Sequence, residues 1–176
     1  MKNLGLIHIY CGDGKGKSTA SIGLMIRAAG SGLNVVFAQF LKNWRTGEVE
    51  ILSNIPNIKV LRSSKPFPLT EQMTESHKNE IVEIHNEIFD EAVSLCEKGL
   101  CDLLVLDEII STYEYDFIDK SKVDLFLANR SKNIELIMTG RNPSPEFIEM
   151  ADYVSEVKKI KHPFDKGVQA RKGIEI

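Results

Sequence analysis

Nine residues close to the start of the chain, Cys11–Thr19 (CGDGKGKST), have the types and spacing that hold phosphate. Gly12, Gly14 and Gly16 let the backbone turn tightly enough to aim several amide N–H groups at one anion. A helix opening near Lys17 adds the positive end of its dipole to the same spot. Lys17 supplies a mobile ammonium for phosphate oxygens, and the Ser18 hydroxyl can hold a magnesium ion. Asp13 and Lys15 fill the positions between the glycines, and Thr19 either adds a hydroxyl or caps the helix. The common pattern G-x-x-x-x-G-K-[ST] has glycine where this chain has Cys11, so that counting from Gly12 the loop is one residue short. A second feature belongs to the same chemistry. The apolar run Leu103–Leu106 ends in Asp107-Glu108, and carboxylates at such a strand end can hold magnesium, directly or through water, beside a phosphate loop. Taken singly, the first is a helix start with chance glycines and the second a common acidic strand end. Together they predict nucleoside triphosphate binding with Mg2+.

The elements that must position these residues are legible as apolar runs alternating with helical periodicity. Strands are expected at Gly5–Tyr10, Asn34–Phe40, Ile58–Leu61, Asp102–Leu106, Ile134–Thr139 and Tyr153–Val157. Helices are expected from about Lys17 to Ala29, from about Glu71 to Glu97, near Ser121–Asn129, and from Asn142-Pro143 onward. In the long second helix, Ile81, Ile84, Ile88, Ala92 and Leu95 recur at three- and four-residue steps and define a core-facing stripe. Strand–helix alternation implies an α/β fold, a mainly parallel sheet flanked by helices; the strand order is not readable. Trp44, in a loop after the second strand, is expected to pack on the core. The chain has 176 residues, 43% hydrophobic, with 22 basic and 25 acidic side chains for a net charge of −3. That length fits one domain, residues 1–176. The composition excludes bulk disorder and argues against general nucleic-acid affinity. No apolar run is long enough for a membrane helix, and no signal segment is apparent. Three cysteines, Cys11, Cys96 and Cys101, lack metal-ligand spacing and read as free thiols of a cytoplasmic protein.

These residues leave kinase, hydrolase, binding-ATPase and nucleotidyl- or alkyl-transfer chemistry open. Further segments narrow the choice by resemblance: GDGKGKST, AQFLKN with downstream Gly47-Glu48, LLVLDEI, MTGRNPSPEFIEMADYVSEV and KKIKHPFDKGVQARKGIEI follow one another in register from about Gly5 to Ile176. Together they resemble the ATP:corrinoid adenosyltransferases of cobalamin synthesis and salvage, whose phosphate loop has the same shortened form. The resemblance implies a RecA-like phosphate-loop fold and transfer of the 5′-deoxyadenosyl group from ATP to a reduced corrinoid, with triphosphate leaving intact. It also implies ATP lying reversed relative to ordinary phosphate-loop enzymes, a homodimer, and a reductant such as a flavoprotein reductase. On this reading Gly12 through Ser18 cradle the triphosphate with Lys17 as main cation. Ser18 and Glu108, with Asp107 as second carboxylate, hold magnesium, and Arg141 adds charge toward phosphate. His162 either touches adenosine or corrinoid or serves as a turn residue before Pro163. Tyr113, Tyr115 and Phe117 are either core or ligand-stacking rings. Where the family often has Phe-x-Trp pressing on the corrinoid, this chain has Phe67-Pro68-Leu69; Phe67 remains and leucine replaces tryptophan.

Overall fold

The apolar runs become six parallel strands in one sheet. The structure is a computed structural model that describes residues 5–42, 44, 46–63, 65 and 73–175. In chain order the elements are β1 (Ile7–Cys11), α1 (Lys17–Gly30), β2 (Val35–Gln39), α2 (Gly47–Leu52), β3 (Ile58–Arg62), α3 (Glu75–Glu97), β4 (Leu103–Asp107), α4 (Ile109–Glu114), α5 (Lys120–Asn129), β5 (Glu135–Thr139), α6 (Pro145–Met150) and β6 (Tyr153–Glu156), followed by a 3-10 turn at Pro163–Lys166. The strand order is β3-β2-β4-β5-β1-β6, and every neighbouring pair is parallel.

Every residue of β2 and β4 is buried, as continuous apolar strands covered on both faces must be. Alternation along them feeds two cores. Val36, Ala38, Leu104 and Leu106 join Ile81, Phe89 and Phe126 on one face. Val35, Phe37, Leu103 and Val105 join Met25 and Leu52 on the other. The α3 stripe falls as its spacing predicts: Ile81, Ile84, Ile88 and Ala92 are buried and Leu95 is half-buried. His85 is buried in the same stripe. Its Nδ1 lies 2.8 Å from the Phe117 carbonyl, and its Nε2 is 3.3 Å from the Leu41 amide, which donates to it. Burial pushes this imidazole down to about 4, so it is neutral and can accept from Leu41.

Some local expectations change. The helices α2 and α4 are six residues each, too short for a period to show. The last helix starts at Pro145 rather than at Pro143, because the Ser144 hydroxyl accepts from the Phe147 amide and sets the cap there. Helix α3 begins at Glu75, where the Thr74 hydroxyl accepts from the His77 amide; Glu71, its expected start, lies outside the described residues. Trp44 is 45% exposed and so is not a core residue; its carbonyl accepts from Arg62 at 2.6 Å. Phe117 is buried and Tyr115 is exposed. The half-buried Tyr113 ring leans on Phe147, with centroids 4.9 Å apart. All three cysteines are free and buried. Among the described residues no helix is long and apolar enough to cross a membrane.

Candidate functional site

Because all six strands run the same way, their carboxyl ends share one edge of the sheet. That edge is where open α/β sheets place ligand sites. It gathers the loop after β1, Leu41 and Lys42 after β2, Glu108 after β4, Gly140 and Arg141 after β5, and Val157 after β6. Strand β5 lies between the loop strand β1 and the carboxylate strand β4. The intervening strand takes part directly: Thr139 at its end donates to Asp107 Oδ1 at 2.8 Å and accepts from the Glu108 amide at 2.8 Å.

Asp107 is fully buried and bonded on both oxygens. Its Oδ2 accepts from Lys42 Nζ at 2.9 Å and from Gln39 Nε2 at 3.3 Å. Glu108 follows in a left-handed conformation (φ 66°). For a residue with a Cβ this is strained backbone, of the kind that collects at functional positions. The turn brings Glu108 to the wall of the pocket beside the loop, where its Oε2 accepts from Ser111 Oγ at 3.0 Å.

Lys17, the first residue of α1, is almost fully buried, and its ammonium donates to the Gly14 carbonyl at 2.8 Å. Burial pushes it below the ordinary lysine range, Glu108 pulls it back up, and Arg141 and Lys42 add to the depression. Lys17, Arg141, Lys42, Glu108 and Asp13 therefore share one electrostatic neighbourhood. Arg141 is exposed and fastened by its backbone: its carbonyl accepts from the Gly12 amide at 2.9 Å, and its amide donates to Ser111 Oγ at 3.3 Å.

The loop glycines have a purpose that spacing did not reveal. A Cβ on Gly12 would lie 2.5 Å from the Val157 carbonyl oxygen, and one on Gly14 would lie 2.7 Å from the same atom. The Gly14 amide donates to that oxygen at 2.7 Å. So the Gly12 and Gly14 amides bind neighbouring chain, and the glycines admit the segment after β6. Gly16, with φ 126°, makes the turn into α1. Thr19 is an exposed third helical residue rather than the cap, which is Gly16. Asp13 and Lys15 face the C-terminal segment. Asp13 Oδ1 accepts from the Lys159 amide at 2.9 Å, which holds its carboxyl below the usual range, and Lys15 pairs with Glu175 at 3.0 Å. His162 caps the 3-10 turn, its Nδ1 accepting from the Phe164 amide at 3.2 Å, and it also lines the loop's pocket. The turn reading of His162 is thus observed, and the residue also stands on the pocket wall. Phe67 and Leu69 lie outside the described residues.

The pocket has a volume of about 600 Å³, within the range of small-molecule sites. The loop, Lys42, Glu48, Glu108, His162 and Ile174 are among its walls. Among the described residues no three His, Cys, Asp or Glu side chains cluster as a metal cage. Magnesium takes one or two protein ligands and completes its shell with phosphate and water. A fit can be judged directly, because a cation already bridges the two oxygens concerned: Lys42 Nζ donates to Ser18 Oγ at 3.0 Å and to Asp107 Oδ2 at 2.9 Å. A hydroxyl and a carboxylate close enough to share one ammonium are suited to a small hard cation. Sequence reasoning did not single out Gln39, Lys42 or Thr139. The signal available was a polar residue ending each of two buried apolar runs.

A family model described as ATP:corrinoid adenosyltransferase BtuR/CobO/CobP matches residues 3–176. The chain is 33% identical over 172 residues to the corrinoid adenosyltransferase of Escherichia coli (strain K12), covering 97% of this chain and 85% of that protein. It is 31% identical over 178 residues to that of Sinorhizobium sp, covering 98% and 80%. Among solved structures, the cytoplasmic domain of EssC superposes with a TM-score of 0.53 at 20% identity, over 96% of this chain and 34% of that one. The last likeness is one of fold.

Proposed function

The chain belongs to the ATP:corrinoid adenosyltransferase family, and from that premise we propose that it transfers the 5′-deoxyadenosyl group of ATP to the reduced cobalt of a corrinoid. One observation supports the assignment to this pocket: Lys17, Ser18 and Glu108 line it at the carboxyl edge of the sheet, with Arg141 close enough to act on the Lys17 charge. In the reaction the Co(I) electron pair attacks ribose C5′, the C5′–O bond breaks, and triphosphate departs with the electrons of that bond. Reduced cobalt is itself a strong nucleophile, so the protein needs neither a nucleophile nor a general base. Its tasks are to align C5′ with cobalt and to stabilise the departing triphosphate, and cations placed beforehand supply that stabilisation.

The loop Gly12 through Ser18 cradles the triphosphate with groups other than the Gly12 and Gly14 amides, which bind neighbouring chain. The Asp13 and Lys15 side chains tie the loop to the C-terminal segment. Lys17 leaves the Gly14 carbonyl for phosphate oxygens, Arg141 adds a second positive charge, and Thr19 lines the entrance. Ser18 and Glu108, with Asp107 behind them, hold magnesium, which neutralises charge on the triphosphate. ATP lies reversed, so that C5′ rather than the terminal phosphorus faces the acceptor. His162 closes the adenosine side, and Phe67 presses on the corrinoid. The chain acts as a single domain in a cytoplasmic homodimer, supplied with electrons by a flavoprotein reductase.

Incubation with ATP, magnesium and chemically reduced cobalamin tests this reading. Formation of the Co–C bond changes the corrinoid absorbance, and the released product is triphosphate. Release of ADP instead would assign the pocket to kinase or ATPase chemistry.

A further inference from the structure

Lys42 has no part in the assignments above, yet its ammonium bridges two of the three groups that would hold magnesium. Its segment is built to put it there. Leu41 turns in a left-handed conformation (φ 57°) with its amide on His85, and Arg62 clamps the next stretch through the carbonyls of Lys42 at 3.3 Å and Trp44 at 2.6 Å. The ammonium then bridges Ser18 Oγ and Asp107 Oδ2. Asp107 has no solvent exposure, so its charge needs a counter-ion inside the protein, and a buried carboxylate stripped of its partner is strongly disfavoured.

We propose that Lys42 is a resident cation that keeps the magnesium place while nucleotide is absent and yields it when the metal arrives with ATP. The inference rests on the magnesium–nucleotide reading of this pocket. A divalent ion brings twice the charge to Asp107 and Ser18, and the two cations cannot share the position. The lysine has a flexible four-carbon stem, and its side chain is 19% exposed on the pocket wall. The displaced ammonium therefore turns to the pocket, where a triphosphate offers it negative charge. Magnesium alone offers no such place, so the exchange makes metal binding conditional on nucleotide. It also keeps the Asp107 carboxylate oriented between turnovers.

The test uses manganese alone as the probe, titrated into nucleotide-free protein and followed by the paramagnetic signal of the unbound ion. Lys42→Met should bind manganese at least tenfold more tightly than the wild type. Lys42→Gln, which can still hydrogen-bond Asp107 and Ser18, keeps the fold intact should the methionine variant not fold, and should show the same gain. Adding Asp107→Asn to either should abolish it. Manganese affinity equal to wild type in the folded Lys42 variant would overturn the proposal. So would a gain that survives loss of the Asp107 carboxylate. Neither readout involves ATP or corrinoid. A gain in affinity in the Lys42 variants alongside absent adenosyl transfer by the wild type would overturn the functional reading and support the exchange, and the converse pair of results would do the reverse.

Discussion

The pocket has two walls of different construction. One is the carboxyl edge of the sheet, where Asp107 is held by Lys42, Gln39 and Thr139 with no exposure, and where Lys17 sits at the head of a 14-residue helix. The other is the C-terminal segment from Val157 to Glu175, almost all of it exposed. Near its start this second wall is tied to the loop by the Gly14 amide on the Val157 carbonyl at 2.7 Å and the Lys159 amide on Asp13 at 2.9 Å. Farther on, Lys15 pairs with Glu175 at 3.0 Å, and within the segment Lys159 pairs with Asp165 at 3.2 Å and Arg171 with Glu175 at 2.9 Å. Arg171 first, then Lys15, keeps the Glu175 carboxyl far below its usual range, but exposed pairs of this kind add little to stability. The first wall cannot move without disturbing the core. Beyond its ties at Val157 and Lys159 the second can lift away at small cost, and a site that must admit ATP and a bulky corrinoid needs one wall of each kind.

The largest expected effect lies on the rigid wall. Lys17→Ala removes the central cation from a desolvated site, and should raise the barrier to adenosyl transfer by roughly 2–4 kcal/mol, on the order of a hundredfold or more in rate. Its melting temperature should stay near that of the wild type. Near-normal transfer by the folded variant would move the chemistry off this wall.

Acid should then weaken the rigid wall selectively. The folded pKa of His85 is depressed to about 4 from 6.5, so its contribution is complete above about pH 6.5 and is lost as pH falls toward 4. Integrated over that window it amounts to about 3 kcal/mol. Denaturant midpoints at pH 7 and pH 4.5 should differ accordingly in the wild type, and by much less in His85→Gln. Equal pH dependence in the two proteins would place the acid-sensitive group elsewhere.

Gly14→Ala probes the joint between the walls. Its methyl group would meet the Val157 oxygen at 2.7 Å, an overpacking worth roughly 1–3 kcal/mol. Amide exchange should quicken from Val157 onward while β2 and β4 stay protected. Glu175→Gln should have the smallest effect, leaving the melting temperature unchanged and quickening exchange only in the last residues. A marked fall in melting temperature would mean that the second wall is not superficial.

The same division separates what could be read in advance from what could not. Most strands were legible as short stretches rich in apolar residues, β6 (Tyr153–Glu156) being exposed throughout and marked only by its Tyr-Val pair. Lys17 and Ser18 were legible because glycines and a helix start are local signals. Strand order depends on which runs meet in space, so Thr139 could not be placed beside Asp107 until β5 was seen between β1 and β4. Lys42 escaped for a similar reason: its partners Ser18 and Asp107 are 24 and 65 residues away. The glycine spacing was read as amides aimed at an anion, whereas Gly12 and Gly14 chiefly admit the Val157 backbone. Trp44, expected inside, is exposed, and its carbonyl is held by Arg62.

The position of β5 has a metrical consequence. Phosphate loop and carboxylate are separated by two strand-to-strand intervals, a span of about 10 Å that backbone hydrogen bonds set and side chains cannot alter. The sheet thus serves as a gauge block between anion grip and acidic anchor. Substitutions change what the jaws hold. Their spacing changes only if a strand is added, lost or bulged, so a lineage could exchange substrates freely while the calibration stays the same.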